Sequence, residues 1–72
     1  MMRLRVKEVA AQKGFSMGKL RREAQISHNT LRTIYKDPYR RVNTATLDKI
    51  ASALDVDVSE LIESVPDDEA QS

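Results

Sequence analysis

Seventy-two residues are enough for one domain and too few for two independent cores. With 40% hydrophobic and 32% charged residues and no cysteine, the chain has neither a disulfide framework nor a thiolate metal site, so helix packing has to hold it together and a reducing, cytoplasmic setting is expected. The net charge of +1 conceals an asymmetry: residues 1–41 hold eleven Lys and Arg against three Asp and Glu, whereas residues 42–72 hold one Lys against eight acids. A basic half joined to an acidic half is what one phosphate-facing surface on a small protein would require.

In chain order, Met2, Leu4 and Val6 alternate with Arg3 and Arg5, a period of two that predicts a short half-buried strand. From Val6 the period changes. Val6, Val9 and Ala10 share one helical face, Lys13 falls in the last turn and Gly14 ends it, so the first helix is expected over about Val6 to Lys13. Ser16 is a cap residue ahead of Met17, Leu20 and Ala24, a second helix of about two turns that ends near Gln25. After Gln25-Ile26-Ser27, Ser27 is the next cap, and Leu31, Ile34 and Tyr35 form the apolar stripe of a third helix reaching about Lys36. Asp37-Pro38 stops it, because a residue before proline is pushed out of the helical region.

Tyr39 to Val42 then read as a loop. A fourth helix opens at Asn43 or Thr44 and buries Leu47, Ile50, Ala51 and Leu54. Asp57-Val58-Ser59-Glu60 has the form of a capping box and predicts a fifth helix with Leu61 and Ile62 inward. From Pro66 the tail is acidic and lacks large apolar residues, and it is expected to be disordered. These elements imply one domain over residues 1–65 and a tail over 66–72. No apolar run approaches the roughly 18 residues of a membrane span, and Met1-Met2-Arg3-Leu4-Arg5 lacks the apolar stretch of a secretory signal.

Two short helices joined by a three-residue turn, the second with a polar outer face, are the parts of a helix-turn-helix, here Ser16 to about Lys36. With Leu31, Ile34 and Tyr35 on one side at about 100° per residue, Asn29, Arg32, Thr33 and Lys36 fall on the other. Such side chains match the donors and acceptors on base edges in the major groove, Arg favouring guanine and Asn adenine. His28, Asn29 and Thr30 sit in the first turn, the end that enters a groove first, and are expected on the DNA-binding surface, while Ser27 leaves the amide end of the helix facing a phosphate. Lys19, Lys36, Arg40 and Arg41 flank the element and are expected to contact phosphates. Each residue also has a plainer reading: His28 as a solvated side chain, Asn29 and Thr30 as partners for free amides at the helix start, and Tyr35 as core.

The run Ser16 to Lys36, followed by Asn43 to Val56 and Ser59-Glu60-Leu61-Ile62, resembles the Cro and lambda-repressor class of regulators, the Xre family, over about residues 3 to 63. The fourth-helix pattern Leu47, Ile50, Ala51, Leu54, Val56 carries the most specific part of the likeness. The resemblance implies an all-α, five-helix bundle, to which the alternation at Met2 to Val6 adds a short N-terminal edge strand that is unusual for that class. Its third helix, from His28 on, would read the major groove of double-stranded DNA, usually as a homodimer and as a transcriptional repressor. It implies base contacts from His28, Asn29, Arg32 and Thr33 and backbone contacts from Arg40, Arg41 and Asn43.

Three positions depart from the pattern. Met17 stands where the family usually has a phosphate-holding Gln, Gln25 where the turn normally has Gly, and Arg21 where a small residue is expected. If Gln25 keeps the left-handed backbone, the cost is roughly 1 kcal/mol.

The strand at residues 1–6 could pair with the same strand of a second subunit, or pack on its own domain. An enzyme is not expected, since the single histidine lies near no cysteine, paired carboxylate, Gly-rich phosphate loop or metal-ligand spacing, and no cofactor is called for. The alternative is an antitoxin or protein-interaction module whose acidic C-terminal half holds a toxin or another protein.

Overall fold

A computed structural model describes residues 1–66. Strand β1 (Met2–Leu4) leads into helix α1 (Val6–Gln12), followed by α2 (Met17–Ala24), α3 (His28–Lys36) and α4 (Thr44–Leu54). A single 3₁₀ turn (Val58–Leu61) then delivers the chain into strand β2 (Ile62–Ser64). Helix α2 packs chiefly on α4 and α3, and α1 closes over α3, α4 and the 3₁₀ turn. At the centre Val6, Leu20, Leu31, Ile50, Leu54 and Leu61 are fully buried.

Local chemistry sets the helix starts. The Ser16 hydroxyl accepts from the Lys19 amide at 3.1 Å and the Asn43 side-chain Oδ1 from the Thr46 amide at 2.8 Å. At α3 the Ser27 hydroxyl accepts from the Thr30 amide at 3.1 Å and donates to the Thr30 hydroxyl at 2.7 Å. Each bond satisfies one of the amides that a helix start leaves without a partner. Gly14, with φ of 74°, takes the chain out of α1, and Asp37, extended ahead of Pro38, ends α3. Two helices end on residues with a side chain in the left-handed region, Gln25 after α2 and Asp55 after α4, each with φ of 57°.

The five-helix expectation needs correction. Among the described residues there are four α-helices, and the predicted fifth is one 3₁₀ turn followed by a strand. Its capping box does form, with Asp57 accepting from the Ser59 amide and Glu60 reaching back to the Asp57 amide. The turn stops at Leu61 because only Ile62 to Val65 remain before Pro66, too few for another capped turn, and Val65 is barred from the helical region by that proline. The extended segment also finds a partner. β2 pairs antiparallel with β1 in the register Met2–Ser64, Arg3–Glu63, Leu4–Ile62.

β1 is therefore covered on one side by its own chain, the second of the two readings of residues 1–6. The Met1 and Val65 main chains exchange bonds of 2.8 and 3.0 Å, and the Arg5 amide donates to Leu61 at 2.7 Å. On its other edge the Leu4 amide donates to the Pro38 carbonyl at 2.6 Å, so only part of that edge is open. The strand is also two residues shorter at its end than the alternation suggested, since Arg5 is the cap of α1 and Val6 already belongs to it. Pro66 is exposed, and the remainder of the tail expected to be disordered, residues 67–72, lies outside the described residues.

Candidate nucleic-acid interface

Helix α3 divides cleanly in two. Leu31 and Ile34 are buried and Tyr35 is half-buried, while His28, Asn29, Thr30, Arg32 and Lys36 are exposed and Thr33 is partly covered. Burial and the nearby Glu8 charge raise the Tyr35 hydroxyl above its ordinary value of 10.0. Tyr35 thus faces the α1 side of the core and is no stacking platform.

On the open side Asn29, Arg32, Thr33, Lys36 and Asp37 line one groove of about 500 Å³. Four of the five are residues whose spacing put them on one face. The fifth, Asp37, is absent from the sequence-based set, because its place depends on how the helix ends and not on helical period. Its carboxylate accepts from the Tyr39 amide at 3.2 Å, which fixes it at the end of the groove.

Hydrogen-bonding capacity differs among these side chains. The Thr33 hydroxyl donates to the Asn29 carbonyl at 2.8 Å, leaving it only acceptor capacity toward a ligand. Ser27 and Thr30 are occupied with each other and with the helix amides, so their polar groups build the helix start. Asn29, Arg32 and Lys36 side chains have no hydrogen-bond or ion-pair partner among the described residues. Exposed donors without a partner are available to something outside the chain.

The flanking cations do not form one group. Lys19 lies 4.5 Å from the centre of the Phe15 ring, a cation–π contact that the i, i+4 spacing of Phe15 and Lys19 made legible but that the sequence reading did not use. Asn43 is the cap of α4, so its side-chain oxygen is already engaged. Arg40 and Arg41 are exposed but line a second groove of about 600 Å³, together with Met2, Tyr39, Val42 and Ile62. The structure does not bring them into the groove on α3.

The turn between α2 and α3 keeps its left-handed residue although Gln25 replaces glycine, with φ of 57° and ψ of 46°. Gln25 donates its amide to the Arg21 carbonyl, the bond that closes the end of α2. Arg21 is half-buried, and Leu20 and Ala24 supply the core side of α2. The two-helix geometry thus survives all three departures in the sequence.

Residues 5–67 match the profile of the Cro/C1-type helix-turn-helix DNA-binding domain. The chain belongs to this family. No curated protein matches it. Membership makes the chain a DNA-binding protein of the small-regulator kind, and α2 and α3, joined by the short turn at Gln25 to Ser27, have the form of a helix-turn-helix. Among the described residues no helix is long and apolar enough to cross a membrane, and no group of three or more His, Asp or Glu is placed to hold a metal ion.

Proposed function

We propose that this protein reads a specific sequence of double-stranded DNA with the outer face of α3 in the major groove and represses transcription by occupying that site. The observation that carries the reading is the groove on α3, where Asn29, Arg32 and Lys36 present donors with no partner in the chain. His28, Asn29, Arg32 and Thr33 contact base edges, Thr33 as an acceptor only. Lys19, Lys36, Arg40, Arg41 and Asn43 hold phosphates, and Ser27 directs the amide end of α3 at one.

The protein acts as a homodimer on a two-fold symmetric operator. This is supported by the small sheet, whose antiparallel register turns the Ile62 and Ser64 main-chain groups away from β1 and leaves them without partners among the described residues. An identical strand complements such an edge. The exposed Met2 and Tyr39 beside it add apolar surface. Light scattering on an Ile62→Pro variant, which removes an amide that faces away from β1, tests the dimer: a fall to the monomer mass is expected, and an unchanged dimer mass rejects this edge as the interface.

Selection of bound duplexes from a random pool tests the reading as a whole. A symmetric enriched sequence is the expected result, and recovery of unenriched DNA rejects it. In the same assay Arg40→Ala weakens selected and random DNA alike and reduces the salt slope by about one unit.

A further inference from the structure

We infer that Asp37 is a base-reading residue that accepts a hydrogen bond from a cytosine amino group, an inference that rests on the proposed placement of α3 in the major groove. Asp37 shares its groove with Asn29, Arg32, Thr33 and Lys36, the side chains assigned to the DNA face, whereas Arg40 and Arg41 line the other groove. It has no ion-pair partner among the described residues despite two cations in the same groove. The Tyr39 amide holds its carboxylate at the helix end, so it cannot swing freely away from that surface.

A carboxylate here restricts what it can face. Against a phosphate it is repelled. Against a base edge it is an acceptor only and needs an exposed amino group. Cytosine is the one base whose own major-groove edge carries an amino group, its N4, and no acceptor. Adenine places the N7 acceptor next to its amino group, and guanine and thymine present acceptors at the corresponding positions, so an acidic side chain discriminates against all three. Lys36 lies about 10 Å of axial rise beyond Asn29 and Asp37 follows it, so a helix lying along the groove carries Asp37 about three base pairs beyond the bases that Asn29 faces.

The test is selection from a random duplex pool with the wild type, Asp37→Asn and Asp37→Ala in parallel. Asparagine retains an acceptor for the Tyr39 amide, and thermal melting of each variant confirms that it is folded. The expected result is one C·G position in the wild-type site at which Asp37→Ala loses about ten-fold of its preference and Asp37→Asn, which can also donate, comes to accept adenine, the other positions being unchanged. Unchanged preference at every position overturns the inference, whether random and selected DNA both bind more tightly, as for a residue facing phosphates, or neither changes. A wild type that enriches no sequence overturns the groove reading itself, a separate outcome from the first.

Discussion

Arg3 and Arg32 are both arginines at the surface of short elements, and their surroundings differ. Arg3, on β1, donates to Glu63 of β2 at 2.9 Å and to Glu8 of α1 at 2.7 Å, joining three elements across sixty residues of sequence. Arg32, on α3, meets no partner among the described residues. The seam around Arg3 is electrostatically closed within the chain, and the face around Arg32 is left open. Charge on a small protein is therefore no guide to its binding surface until the groups consumed by the fold are set aside.

The largest expected effect strengthens the structural side of this contrast. Leu61 is fully buried where the 3₁₀ turn meets β2, so Leu61→Ala should cost about 2–5 kcal/mol, read as a fall in the urea midpoint. Next comes Arg32→Ala, which should lose about 1–3 kcal/mol on the selected DNA site and much less on random DNA, with a melting temperature near that of the wild type. Equal losses on both DNAs would break the contrast, since Arg32 would then be a phosphate contact.

Arg3→Ala should do the reverse, lowering stability by about 1 kcal/mol while leaving the sequence preference intact. It also carries a pH signature. Burial pushes the Glu8 carboxyl up, but the Arg3 hydrogen bond, a backbone amide and the charges of Arg3 and Arg5 outweigh it and hold the group below its ordinary value of 4.5. A depressed folded value means stability that is present above pH 4.5 and lost as the pH falls below it through the folded value. Urea titrations between pH 7 and 3 should show this loss in the wild type and a shallower one in Arg3→Ala.

The smallest effect concerns the two left-handed helix ends. Gln25→Gly should stabilise by about 0.5–1 kcal/mol, raising the melting temperature by a few degrees, and Asp55→Gly should gain less because Asp tolerates this region better than Gln. A loss at Gln25 would mean that its side chain contributes more than its backbone costs.

Sequence reading recovered α1 to α4, though not the expected fifth helix, because the signals of those four are local. Ser16, Ser27 and Asn43 each sit next to the amides they cap, and the apolar spacing of α3 and α4 is visible within ten residues. β2 was not legible, since Ile62 to Ser64 become a strand through pairing with Met2 to Leu4 at the other end of the chain. Within the candidate site, period placed Asn29, Arg32, Thr33 and Lys36 together, but it could not show that the Thr33 hydroxyl turns inward to Asn29 or that the chain leaves α3 with Asp37 on the groove. The separation of Arg40 and Arg41 depends on where the loop after Pro38 docks on β1, through the Leu4 bond to Pro38, and no local pattern encodes that contact.

The pairing of β1 with β2 has a kinetic consequence. Bringing together partners some sixty residues apart costs about 3–4 kcal/mol in loop-closure entropy, which the local turns of α2 and α3 do not incur. The helices α2 and α3 are therefore expected to assemble before the strands meet, with β1 synthesised ahead of β2 and waiting for it. Changes along the strands should then accelerate unfolding more than they slow folding, so an altered residue such as Arg3 would shorten the lifetime of the folded protein and barely affect its rate of formation.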